Sequence, residues 1–117
     1  MLARKKMSAI IITSSGLGSV AVPGILPYSM AKSFSSFLGQ GLNVELKGKI
    51  DVLSFECGEV KTKLLGKSRS GITVITTDKA TSGCLRDLGS YGLSYGAFIH
   101  ELMMRMVPSF VIQFAVN

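Results

Sequence analysis

The later half of a doubly wound parallel α/β sheet is the fold class this sequence predicts. Three observations carry the prediction. A β-branched apolar run, Ile10-Ile11-Ile12-Thr13, follows a basic turn at Arg4-Lys5-Lys6. A long stretch with apolar residues at mostly three- and four-residue steps comes next. A second compact apolar run, Ile50 to Glu56, then restarts the alternation of strand and helix.

Each element has its own justification. Ser8 to Ser14 reads as a strand buried on both faces, because it is continuously apolar at its centre and β-branched. Gly16 to Pro27 is a Gly/Pro/Val loop suited to closing over an active site. A helix is expected over 27–46, with Met30, Phe34, Phe37, Leu38, Leu42 and Val44 recurring at helical steps. Its small residues Ala31, Ser33, Ser35, Ser36 and Gly39 allow close packing, against the sheet or against a second copy. Gly48 stops it. Ile50 to Glu56 is the second strand, Cys57-Gly58 turns the chain, and Glu59 to Leu65 runs outward. Lys67 to Gly71 is polar and expected to be mobile. Ile72 to Ile75 is too short to classify. Thr76 or Thr77 caps a helix from Asp78 to about Leu88, with Asp78 in its first turn. Gly89 to Gly96 reads as a turn into a short strand, Ala97 to Arg105 as a helix, and Pro108 as the start of one more helical segment over 109–116. No internal repeat or linker divides the chain, so it reads as one incomplete structural unit.

Composition sets bounds. The 117 residues are 47% hydrophobic, with a mean hydropathy of +0.42, apolar for so short a chain. That excess points to a missing partner: more polypeptide, another subunit or a membrane. The net charge is +6, gathered at Arg4-Lys5-Lys6 and around Lys47, Lys49, Lys61, Lys63, Lys67 and Arg69. Most of these charges suit a solvated loop face. Where they bind, they suit a phosphorylated cofactor, an acyl-CoA or an anionic membrane surface. No nucleic-acid partner is expected, since no recognition helix, zinc or RNP-like motif is present and the aromatics are not interleaved with the basic runs. Cys57 and Cys84 lack metal or redox spacing, and His100 is the only histidine, so no metal site is expected. Met7 to Ala31 carries no charge, which a hydropathy window reads as a membrane span. Gly16, Gly18, Pro23, Gly24 and Pro27 interrupt it and favour a strand and loop.

Tyr28 and Lys32 are the chemistry-bearing pair. Four apart on a helix, they share one face, one turn above the other. An ammonium beside a phenol favours the ionised phenol, so the pair suits general acid/base work. Ser15, thirteen positions before Tyr28, can donate to a carbonyl oxygen while the Tyr gives or takes the proton.

The run Arg4-Lys5-Lys6 through Ser14-Ser15-Gly16, followed by Tyr28-Ser29-Met30-Ala31-Lys32, resembles the second half of the short-chain dehydrogenase/reductase family. There a strand ends in a catalytic Ser and the next helix carries Tyr-x-x-x-Lys. The spacing selects Ser15 over Ser14, which is left to bond nearby backbone. Cys57-Gly58-Glu59-Val60-Lys61-Thr62 resembles the family segment that lies against the nicotinamide, with Cys57 where Pro is usual. The tail Gly96 through His100 to Met103, then Pro108-Ser109-Phe110, resembles the branch of very-long-chain 3-oxoacyl-CoA reductases and type 12 17β-hydroxysteroid dehydrogenases.

The resemblance implies a Rossmann-type fold and hydride transfer between NADP(H), or NAD(H), and a fatty acyl-CoA or steroid carbonyl. It implies Ser15, Tyr28 and Lys32 as catalytic residues, and Tyr28, Lys32, Gly58, Val60 and Thr62 at the cofactor. It also implies lipid metabolism, in fatty acid elongation or steroid conversion. Residues 1–117 would be the catalytic half of the domain, without the glycine-rich dinucleotide-binding half, and inactive alone. Gly16-Leu17-Gly18 follows the wrong strand to replace that half, and Met1 to Lys6 resembles the end of an internal helix. A homodimer through the 27–46 helix and a site at the endoplasmic reticulum membrane, otherwise the cytoplasm, complete the expectation. The competing readings are a non-catalytic interaction module and a small membrane-associated protein. His100 is read as structural, bonded to backbone or a helix end.

Overall fold

The computed structural model describes residues 1–3, 6–63 and 71–106. Its two longest described strands are β1 (Ala9–Thr13) and β2 (Asp51–Phe55), joined through a 3-10 turn at Gly16–Ser19 and helix α1 (Leu26–Glu45). They pair in parallel, with Ala9 opposite Asp51 and Thr13 opposite Phe55. The short β5 (Leu93–Ser94) joins the far side of β2, giving the order β1-β2-β5. Two further short strands, β3 (Val60–Lys61) and β4 (Ile75–Thr76), form a separate parallel pair. Helices α2 (Thr77–Asp87) and α3 (Phe98–Met106) complete the described elements. The fold class is as expected: α/β, with a small parallel sheet and three helices, a partial Rossmann-like arrangement.

β2 is covered on both faces, as a central parallel strand must be. Its alternate residues divide between two layers. Ser54 and Glu56 meet α1: Gly39 packs on Ser54, and the Ser36 hydroxyl donates to the Glu56 carboxylate. Leu53 and Phe55 point the other way, into a core with Ile75, Ala80, Cys84 and Ala97. Asn43 Nδ2 donates to the Val52 carbonyl at 2.6 Å and fixes α1 along the strand.

β1 departs from expectation. It is not buried on both faces: Ala9, Ile11 and Thr13 are exposed, and Ile11 keeps 40% of its surface. The cause is position. β1 is the edge strand, paired only with β2 among the described residues, and α1 covers one of its faces. α1 also reverses the usual arrangement. Its small residues Ser29, Ser36 and Gly39 face inward, while Phe34 and Phe37 are 69% and 73% exposed, with Met30, Leu38 and Val44 beside them.

Several local expectations hold. Gly48 ends the α1 turn at φ +79°, a left-handed conformation that suits glycine. Thr76 caps α2, its hydroxyl accepting from the Lys79 amide at 3.3 Å. The β3–β4 pair was not foreseen. The helix end expected over Met1 to Lys6 lies partly outside the described residues. The segments at Lys67–Ser70 and 108–116 lie outside the described residues. No described helix is long and apolar enough to cross a membrane.

The α2–β5 junction depends on a buried carboxylate. Asp87 accepts from Ser94 Oγ at 2.5 Å and from Arg86 Nε at 2.7 Å, and Ser94 Oγ accepts from the Gly96 amide at 2.9 Å. The Arg86 guanidinium, with the Ser94 hydroxyl, holds the Asp87 carboxyl below its ordinary value despite burial. A carboxyl lowered on folding adds stability above its unfolded pKa, about 3.9, and loses it as pH falls through the lower folded value. Asp87→Asn is therefore expected to flatten the loss of stability below about pH 4, read from urea midpoints across an acid series.

Nearby, Gly83 of α2 lies against Gly96. A Cβ at Gly83 would overlap the Gly96 carbonyl oxygen. Helix propensity alone makes Gly→Ala stabilising by about 1 kcal/mol. Gly83→Ala is expected to go the other way, destabilising by about 3 kcal/mol. Gly41→Ala on α1 meets nothing within 4 Å and keeps the stabilising sign. Chemical denaturation of the two variants checks both.

Candidate functional site

The parallel register sets the C-terminal ends of β1 and β2 side by side, and the candidate site lies just beyond them. The Ser14 amide donates to the Phe55 carbonyl at 2.8 Å, so Ser14-Ser15 leaves the sheet beside Glu56-Cys57-Gly58. Ligands of open α/β sheets bind outside this edge.

The two serines take different roles. Ser14 is buried, and its hydroxyl donates to the Lys32 carbonyl at 2.5 Å, pinning the strand end to α1. Ser15 caps the 3-10 turn, its Oγ accepting from the Leu17 amide at 3.3 Å. That capping role was not foreseen. The Oγ–H of Ser15 keeps its donor capacity.

Tyr28 stands on the first turn of α1, after Pro27, and is 44% exposed. Lys32, one turn on, carries its ammonium 5.9 Å from the Tyr28 ring centroid, within cation–π range. It also donates to the Thr13 carbonyl at 3.3 Å, which ties it to the end of β1. Gly18 lets the 3-10 turn approach this part of α1: a Cβ there would come within 2.7 Å of the Lys32 carbonyl carbon. Gly16-Leu17-Gly18 thus serves helix packing.

A cavity of about 630 Å³ opens in front of these residues. Ser15 and Tyr28 line it, as do Gly58, Val60 and Thr62 from the segment after β2. Five of the six candidate site residues therefore share one cavity. Lys32, the sixth, lies beside the Tyr28 ring and is not part of the lining.

Other lining residues carried weaker sequence signals. Leu17, Met103 and Met104 give the cavity an apolar side. The methionines had signalled only an apolar tail. Glu56 is a buried carboxylate, held by the Ser36 hydroxyl, to which Gln40 Nε2 donates at 2.9 Å. A carboxylate closing an apolar strand was the available clue. Cys57 is half-buried. Burial pushes its thiol up, with Lys32 pulling the other way. His100 is buried and bonded to backbone, as read from sequence.

A fit to a nicotinamide ring can be judged from this wall. Val60 offers an apolar surface, Thr62 a hydroxyl, and Ser15 and Tyr28 two more at one cavity. These groups suit the ring and a carbonyl beside it. The Gly16-Leu17-Gly18 turn between β1 and α1 lacks the third glycine of the dinucleotide fingerprint, and Gly18 packs closely on the Lys32 backbone. Among the described residues, no cluster of His, Cys, Asp or Glu could hold a metal ion.

Comparison with known proteins agrees with this geometry. A family model described as short chain dehydrogenase matches residues 1–73. The chain is 25% identical over 114 residues to 17-beta-hydroxysteroid dehydrogenase type 3 of Danio rerio, covering 94% of this chain. It spans 37% of that relative's length. No solved structure matches.

Proposed function

The chain belongs to the short-chain dehydrogenase family, and on that premise we propose that its cavity is the carbonyl-reducing end of an NADP(H)-dependent oxidoreductase. The family is one of oxidoreductases that bind NAD(P)(H). The observation that carries the reading is the shared cavity of Ser15 and Tyr28, with the Lys32 ammonium beside the Tyr28 ring.

In this reading Ser15 donates a hydrogen bond to the substrate carbonyl oxygen and stabilises the charge that develops there. Tyr28 gives the proton to that oxygen, or takes it in the reverse direction. Lys32, anchored on the Thr13 carbonyl beside the Tyr28 ring, reaches toward a ribose hydroxyl. Gly58, Val60 and Thr62 form the wall on which the nicotinamide rests, with Thr62 bonding its carboxamide or a phosphate. The bound nicotinamide supplies the hydride.

The proposed substrates are a steroid ketone or a 3-oxoacyl-CoA. The apolar side made by Leu17, Met103 and Met104 supports a hydrophobic carbonyl compound, and the +6 charge supports phosphorylated ligands. The similarity to a steroid dehydrogenase points the same way. Without a diphosphate site among the described residues, the 117-residue chain is proposed to bind the whole cofactor weakly and to turn nothing over alone.

Nicotinamide mononucleotide, titrated into the isotope-labelled chain, is expected to shift the amide signals of Ser15, Tyr28, Gly58, Val60 and Thr62. Shifts confined to other residues would sink the cofactor reading. NADPH consumption with a steroid ketone or a 3-oxoacyl-CoA is expected to stay at background. Measurable turnover overturns the proposed inactivity, and Tyr28→Phe must then reduce it by about 10²- to 10⁴-fold.

A second reading, a non-catalytic interaction module, is favoured by the outward apolar side of α1. Phe34, Phe37, Met30 and Val44 form an exposed apolar row of the kind that marks an interaction surface. The proposed partner is a second copy, α1 against α1. Sedimentation equilibrium is expected to show a dimer that Phe34→Glu with Phe37→Glu dissociates. A monomer at every concentration excludes it.

A further inference from the structure

His100 stands on the first turn of α3 and is only 2% exposed. It joins two segments distant in sequence. Its Nδ1 accepts from the Gly58 backbone amide at 3.2 Å, and its Nε2 lies 2.8 Å from the Thr73 carbonyl oxygen. An amide N–H only donates and a carbonyl only accepts. Both contacts are satisfied by one form of the ring: neutral, bare at Nδ1 and protonated at Nε2. Gly58 is shaped to this ring. A Cβ at that position would stand 2.8 Å from Cδ2 and 2.9 Å from Cγ and Nε2, so the imidazole fills the volume a side chain would need.

We infer that His100 is a positioning residue that, as the neutral Nε2–H tautomer, clasps the Gly58–Thr62 wall of the cavity to the Thr73 segment. The inference rests on the reading of that wall as the nicotinamide side. The clasp holds the start of the wall by an acceptor that only a bare Nδ1 provides. A proton on Nδ1 would set N–H against N–H at Gly58 and open the contact, while the Nε2 bond to Thr73 survives. The wall would thus loosen at its Gly58 end first. The titratable groups on the elements packed around the ring are Glu56, Cys57, Glu59, Lys61 and Lys63 after β2, and Glu101, paired with Arg105, on α3. Tyr28 stands on the same cavity, and the described residues 71–74 contribute none.

The test uses the full 117-residue chain labelled with ¹⁵N. At neutral pH the His100 ring is expected to show a bare Nδ1 and a protonated Nε2, with the Gly58 amide protected from exchange. On acidification, Gly58 is expected to lose protection in step with the ring's titration, while the β2 amides keep theirs. His100→Phe is expected to speed Gly58 exchange about tenfold or more. His100→Asn, which keeps an acceptor near the Nδ1 position, restores protection and removes the acid step. A protonated Nδ1 at neutral pH overturns the inference, as does Gly58 exchange that ignores both the titration and His100→Phe. If the Phe variant does not fold, the tautomer and titration of the unaltered chain decide. None of these readouts needs a nicotinamide. A chain that shows the clasp but no response to nicotinamide mononucleotide keeps this inference and loses the cofactor reading.

Discussion

The register between β1 and β2 is the constraint on which the rest depends. Five parallel pairs, from Ala9 with Asp51 to Thr13 with Phe55, fix where both strands end. A slip of one residue would turn every side chain to the opposite face. Leu53 and Phe55 would leave the core they form with Ala80 and Cys84, and Ser54 would leave Gly39. The same register places Ser14-Ser15 beside Cys57-Gly58. The cavity residues converge because two strand ends are level, and contacts at the helix then lock them. Ser14 holds the Lys32 carbonyl, and Lys32 holds the Thr13 carbonyl, so strand end and helix are tied in both directions.

α1 shows how composition and packing can part company. Close approach of helix to sheet requires small residues, and Ser36 and Gly39 supply them. The helix then lies on β2 through polar contacts, Asn43 to the Val52 carbonyl and Ser36 to Glu56, as much as through apolar area. Its large apolar residues are left on the far side. The high hydropathy of the chain is accounted for in part by this outward row and by the uncovered side of β1.

Much of this was legible in the sequence. The β-branched run, the three- and four-residue steps and the Thr76 cap each have a local physical cause, so their elements appear where expected. Ser15 and Tyr28 share a cavity because spacing and topology act together. What was not legible depends on neighbours. The exposure of Ile11 follows from the face of β1 that α1 does not cover, which no residue within the run encodes. The direction of α1 could not be chosen from its periodicity, since both its small and its large residues recur at helical steps. β3 and β4 are two residues each, below the length at which alternation can be read. The contribution of Met103 and Met104 to the cavity needs the α3 packing that brings them there.

The edge position of β1 also bears on how the chain reaches this structure. Its partner residues lie about forty positions downstream, across the whole of α1. Non-local parallel pairing is slow to form, since a long loop must close before any contact repays it. During synthesis β1 emerges about forty residues before β2, and their pairing waits until that strand follows. After pairing, one edge stays open among the described residues. Such an edge is a template for intermolecular strand addition. Among the described residues, that open edge belongs to the strand that leads into Ser14-Ser15, so misassembly there would also disturb the candidate cavity.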